Sequence, residues 1–211
     1  TGRLIVLSVV YRRDGRDLMK GKAMNRKRIE EFEDCPVIAA IKDEEGLKKC
    51  LHSDIQIVFV LYGDICNIGK IVGKLKAAGK TVIIHIDLIA GLSSKEIAVT
   101  YIKSVTHADG IISTKPGVIR EAKEEGLFAI MRFFVIDSIA FDSIQKQTES
   151  VRPDMIEVLP GVMPKIIRRI CRESRVPVIA GGLIADKEDI MAALDAGAVS
   201  ISTTRQDVWF M

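Results

Sequence analysis

The chain has 211 residues, 48% apolar and 28% charged, with a formal net charge of +3. That composition suits one sizeable core and excludes a disordered or fibrous chain, and the length leaves little room for a second domain. No apolar run spans a bilayer, Cys35, Cys50, Cys66 and Cys171 make no CxxC pair, and His52, His85 and His107 show no metal-ligand spacing. Neither a membrane segment, a disulfide framework nor a metal site is expected, and the cysteine usage points to a reducing cytoplasm.

Charge is placed unevenly from the start. Through Arg28 nine cations face only Asp14 and Asp17, a local +7 that leaves −4 for the rest and offers an electrostatic hold on nucleic acid. Residues 4–10 are too short and wrongly flanked for a signal peptide. Met24, leading through Asn25, Arg26, Lys27 and Arg28 into the first strand, reads as an internal start, with 1–23 ahead of it. The expected division is a basic N-terminal extension at 1–34 and one domain at 35–211.

From residue 35 onward the pattern alternates. Apolar, β-branched runs occur at 35–41, 55–61, 81–87, 110–114, 127–133, 155–159, 176–181 and 198–203. Most lack the strict alternation of a one-sided sheet, as strands buried on both faces do. Between them, 43–52, 68–78, 94–105, 116–125 and 187–196 read as amphipathic helices; in the fourth, Val118, Ile119 and Ala122 share a face opposite Arg120, Lys123 and Glu124. Gly79, Gly126 and Gly197 stop helices, Ser93 with Glu96 reads as a capping box, and Asp186 or Lys187 opens a helix. Eight parallel strands with right-handed crossovers and no evident edge predict an α/β fold, a compact (β/α)8 TIM-type barrel, in preference to an open doubly wound sheet. Residues 205–211 are long enough only for a shortened last helix.

A barrel carries its chemistry at the C-terminal ends of its strands. The last two strands end in VPVIAGG and AVSISTT, where this fold builds a phosphate pocket: Gly181 and Gly182 let backbone approach an anion, and Ser202, Thr203 and Thr204 add hydroxyls. The third strand ends as IHIDLIAG, placing His85 and Asp87 on one side; the fourth gives Ser113 and Lys115, the fifth Arg132, the sixth Glu157 and then Gly161. Lys42, Lys115 and Arg132 are expected to favour the charged end of a ligand, and Asp87 and Glu157 its hydroxyls, the pattern for a phosphorylated polyol. A bland reading stands beside this one: His85 as a satisfied core histidine, and Arg132 with Glu157 as an interior ion pair that fixes barrel register.

The strings IHIDLIAG, GIISTKP, MRFFVID, IEVLPG, PVIAGGLI and ISTTRQDVW, in this order and spacing from Cys35 to Trp209, resemble the bacterial glycerol uptake operon antiterminator regulatory proteins. The resemblance implies a cytoplasmic (β/α)8 barrel that responds to glycerol 3-phosphate, uses no other cofactor, and binds the leader mRNA of glycerol-uptake genes to prevent premature termination. Residues 1–23 have no counterpart in it.

Two other classes compete: a barrel enzyme acting on a small phosphorylated polyol, with Asp87, Glu157 and His85 as acid and base, and a metabolite-binding module that works through a protein. No catalytic motif orders these acids, so no catalytic residue is assigned. The sequence holds no RNA-recognition motif and little aromatic surface for stacking. The RNA-facing candidates are the basic N-terminal region and the stripe Lys165, Arg168, Arg169 and Arg172 on the helix after strand six, whose three- and four-residue spacing keeps them on one face; a merely solvated face would look the same.

Overall fold

The computed structural model describes residues 26–93 and 95–210. Eight strands, β1 (Val37–Ile41), β2 (Ile57–Val60), β3 (Thr81–His85), β4 (Gly110–Ser113), β5 (Phe128–Phe134), β6 (Met155–Leu159), β7 (Val178–Gly181) and β8 (Ser200–Thr203), pair in sequence order. β8 closes on β1, and every pairing is parallel. The (β/α)8 barrel expected from the sequence is the fold. The strands are one or two residues shorter than the apolar runs at several ends, because those runs continue into turns where no ladder partner is available.

Residues 26–34 form a helix, α1. Then follow α2 (Glu44–Leu51), α3 (Ile68–Ala77), α4 (Ile97–Val105), α5 (Pro116–Glu124), α6 (Ser138–Val151), α7 (Pro164–Glu173) and α8 (Lys187–Asp195). After β8 the described residues make one 3-10 segment, Gln206–Phe210. Gly79, Gly126 and Gly197 follow helices with φ of +76°, +78° and +106°, the left-handed stop their positions suggested. Asp186 caps α8 by accepting the Asp189 amide at 2.9 Å. The Ser93 capping box does not form: α4 begins later, at Ile97, with Glu96 as a cap whose side chain bonds no amide. α6 is a helix the sequence reading does not single out, since Phe141, Ile144, Thr148 and Val151 are its sole buried residues in a polar run.

Alternation along the strands divides the core into two shells. Inside the barrel lie Ile38, Ala40, Ile57, Phe59, Ile83, Ile112, Phe128, Ile130, Met155 and Ile179; the intervening residues, among them Ala39, Val58, Ile84, Ile111 and Ile156, pack outward beneath the helices. Phe32 of α1, fully buried, enters the N-terminal end, its ring 5.5 Å from Phe128 and 6.5 Å from Phe59. Asp109 ties this end together, meeting Arg28 of α1 at 3.0 Å, Lys76 of α3 at 2.6 Å and the Val82 amide at 2.8 Å. Burial opposes ionisation of Asp109, but these donors outweigh it and hold the carboxyl below its ordinary value. Residues 26–34, counted with the extension in the sequence reading, thus floor the barrel.

Candidate functional site

At the opposite end the inward-facing layer turns polar. His85, Arg132, Glu157 and Ser202 stand on inward-facing positions toward the C-terminal ends of β3, β5, β6 and β8, and all are buried. Arg132 and Glu157 are opposite one another in the β5–β6 register, and Arg132 Nε donates to Glu157 Oε2 at 2.5 Å. Ser202 Oγ donates to Glu157 Oε1, also at 2.5 Å. The register-fixing pair foreseen as the bland reading therefore exists, but it engages only one edge of the guanidinium. Among the described residues no group accepts from the terminal nitrogens of Arg132.

Gly181 explains how this cluster fits. A Cβ there would stand 2.5 Å from Glu157 Oε1 and 2.6 Å from Ser202 Oγ. The missing Cβ at this glycine makes room for the carboxylate. Gly182 is the more exposed of the two, with φ +76°, followed by Leu183 with φ +63°. The Gly161 amide donates to the Gly182 carbonyl at 2.9 Å, joining the loops after β6 and β7. Among the described residues, the turn and side-chain hydrogen bonds use neither the Gly182 nor the Leu183 nor the Thr204 amide. Thr203 Oγ1 is committed to the Ile184 carbonyl at 2.9 Å, so its hydroxyl fixes the loop after β7.

Arg132, Glu157, Gly182, Ser202, Thr203 and Thr204 line one cavity of about 390 Å3. Its other walls are Ala40, Leu61, Leu159, Leu183, Ile184 and Arg205, which the sequence reading did not single out. Leucines after strand ends look like ordinary core in a sequence, and Arg205 directly after Thr204 was the available signal. Lys42 lies exposed in the loop after β1 and does not line this cavity.

Asp87, Ser113 and Lys115 form a separate knot beside it. Asp87 stands in a 3-10 turn, Ile86–Leu88, and not at the tip of β3 as expected, because the chain turns as soon as His85 leaves the ladder. Its oxygens accept from Ser113 Oγ at 2.9 and 3.0 Å, the Thr114 amide at 2.8 Å and Thr114 Oγ1 at 3.1 Å, with Lys115 Nζ 3.4 Å away. Burial would raise this carboxyl, but the Thr114 amide, the Ser113 hydroxyl and Lys115 more than offset it and hold it below its ordinary value. Three protein donors thus hold it, the single Ser113 hydroxyl proton being shared between its two oxygens. His85 is pushed down to about 3, first by burial and then by the adjacent Arg132, so its ring is neutral at physiological pH. Among the described residues no group of three or more His, Cys, Asp or Glu gathers as a metal site, and no helix is long and apolar enough to cross a membrane.

On the outer wall, Lys165, Arg168, Arg169 and Arg172 are all exposed on α7, whose opposite side buries Ile167 and Ile170. Arg169 is partly engaged, bonding Glu173 at 3.1 Å and lying 4.1 Å over the Phe141 ring.

A family model described as glycerol-3-phosphate responsive antiterminator matches residues 37–209, the whole barrel. The chain belongs to that family. It is 49% identical over 174 residues to the uncharacterized protein YgcP of Escherichia coli K12, covering 82% of this chain and 91% of that protein. A glycerol uptake operon antiterminator regulatory protein from Listeria monocytogenes superposes with a TM-score of 0.79 at 32% identity, over 82% of this chain and 94% of that one. A glycerol uptake operon antiterminator-related protein from Thermotoga maritima gives 0.74 at 36%, over 83% and 98%. A deoxyribose phosphate aldolase from Aeropyrum pernix, at 18% identity, TM-score 0.64 and coverage of 92% and 96%, shares the fold alone. The family is one of regulators and not of enzymes.

Proposed function

We propose that this barrel is a cytoplasmic regulator that takes glycerol 3-phosphate into the cavity above Arg132 and, so loaded, binds the leader mRNA of glycerol-uptake genes to prevent premature termination. The observation that carries this reading is Arg132 itself: a buried guanidinium whose Nε is fixed by Glu157 and whose terminal nitrogens find no protein acceptor among the described residues, on the wall of a cavity edged by the Gly182 and Thr204 backbone. A planar fork held by one edge presents its remaining donors in fixed geometry, which suits a phosphate. In this reading the Gly182, Leu183 and Thr204 amides share the phosphate, and the unused lone pairs of Glu157 take a glycerol hydroxyl. No further cofactor is required.

The chain offers a short route from cavity to surface. Gly182, at the cavity, is bonded through its carbonyl to Gly161, and α7 with its basic face begins at Pro164. A ligand that reorders the Gly182 turn thus acts on the root of α7. The enzyme alternative is disfavoured, since Asp87 is held by the Thr114 amide and the Ser113 and Thr114 hydroxyls, Glu157 is paired with Arg132 and His85 is buried. Filter binding of leader RNA with and without glycerol 3-phosphate, together with calorimetry of the compound with and without RNA, tests the reading. Coupling of about 1 to 3 kcal/mol, equal in both directions, is expected; equal RNA binding in both conditions, or steady hydrolysis of the compound, refutes it.

A further inference from the structure

A phosphate ester brings about two negative charges to a cavity whose cations are already matched. Among the described residues the lining holds two arginines, Arg132 and Arg205, and one carboxylate, Glu157. Arg132 is neutralised by Glu157, which is fully buried and also bonded by Ser202 at 2.5 Å. Its open edge offers hydrogen bonds, but the pair carries no net charge. Arg205 is neutralised by Asp207, its Nε donating to Oδ1 at 3.1 Å and its Nη2 to Oδ2 at 2.8 Å. A charge taken out of water without a counter-charge is costly, so opening one of these pairs supplies the missing cation.

The two pairs differ in what opening them costs. Separating Arg132 from Glu157 would strand a buried carboxylate, which is strongly unfavourable. Arg205 and Asp207 each keep 57% of their side-chain surface exposed, so water takes over the carboxylate, and an exposed pair of this kind is weak. The backbone beneath them is held by other groups. The Arg205 amide donates to Thr203 Oγ1 at 3.1 Å; Val208 and Trp209 are buried, and Trp209 Nε1 donates to the Thr203 carbonyl at 3.0 Å. The Arg205 side chain is thus able to turn without moving its own backbone, and releasing Asp207 leaves the Gln206–Phe210 segment seated.

We propose that Arg205 is the exchangeable cation of this cavity, leaving Asp207 for the phosphate of glycerol 3-phosphate while Arg132 stays with Glu157. Asp207 is then a built-in competitor. It sets the concentration at which the cavity fills, and it discriminates against glycerol, which brings no charge to draw the guanidinium away. The proposal rests on the reading of the cavity as the glycerol 3-phosphate site, adding which residue answers the ligand's charge and what restrains it.

Calorimetry of the full chain with glycerol 3-phosphate tests it through two exposed substitutions with opposite expected effects. Arg205→Gln removes the exchangeable cation and should weaken binding about ten-fold or more. Asp207→Asn removes the competitor and should tighten binding about two- to five-fold, the worth of an exposed ion pair. The double variant should bind as Arg205→Gln does, because Asp207 acts only through Arg205. Weakening by both single variants would mean that Asp207 orients Arg205 and does not compete for it, and overturns the proposal. Parent-like affinity in both also overturns it, while binding by the parent keeps the cavity reading. If the compound gives no binding to the parent, the cavity reading and the exchange fall together. If it binds with the expected pattern but leaves the affinity for leader RNA unchanged, the exchange stands and the regulator reading falls.

Discussion

Gly181→Ala is the sharpest test of how the site is built. The added Cβ would lie 2.5 Å from Glu157 Oε1, 2.6 Å from Ser202 Oγ and 3.1 Å from Glu157 Cδ. A clash with the end of a side chain is usually relieved by a small swing, but Glu157 is fully buried and held by two hydrogen bonds of 2.5 Å. Restoring ordinary contact needs a shift on the order of 1 Å, enough to lose at least one of these bonds, and a bond to a charged group is worth about 1.5 to 3 kcal/mol. Breaking the pair with Arg132 outright would cost about 3 to 5 kcal/mol. The expected loss is therefore about 3 kcal/mol, a fall in melting temperature of roughly 6 to 12 °C for a chain of this size. Because the same shift releases Arg132 from its fixed orientation, affinity for glycerol 3-phosphate should fall by about ten-fold or more. Urea unfolding and calorimetry read both. Stability within about 0.5 kcal/mol of the parent, with unchanged affinity, would show that Glu157 is not pinned and that Gly181 is merely the end of a strand.

Three further outcomes follow from other parts of the molecule. Gly182→Val sets a branched side chain at φ +76° and 3.0 Å from Leu159 Cδ2; it should cost about 1 to 2 kcal/mol and abolish calorimetric binding of glycerol 3-phosphate, whereas Gly182→Asn, which tolerates this backbone, should bind measurably. Phe32→Ala empties the floor of the barrel, where the ring is fully buried against Phe128, and should cost about 3 to 5 kcal/mol in denaturant unfolding; a loss below about 1 kcal/mol would detach α1 from the core. His85, at about 3 when folded against an ordinary 6.5, is protonated first in the unfolded chain, so its contribution is fully present above about pH 6.5 and is lost as pH falls toward 3. Its imidazole resonances should stay flat down to pH 5, and His85→Gln should reduce the acid sensitivity of unfolding; a midpoint near 6.5 would mean that the ring is open to water.

The sequence by itself determined the barrel. Eight apolar runs separated by amphipathic segments admit few other arrangements, because parallel strands need crossovers and closure removes edges, and glycines such as Gly79, Gly126 and Gly197 act through their own backbone. The positions of Arg132, Glu157, Gly182, Ser202 and Thr204 at one mouth follow from the same regularity, since a parallel barrel brings all strand ends to one side. What only tertiary structure decided is which groups are already spoken for. That Glu157 takes Arg132 by one edge, that Gly181 leaves room for that carboxylate, that Asp87 is held by the neighbouring strand's turn, and that Phe32 of a basic segment floors the barrel all depend on distances between residues far apart in the chain. Spacing along one element cannot carry that information. Side-chain satisfaction is a property of the closed barrel, set when eight strands fix one another's register.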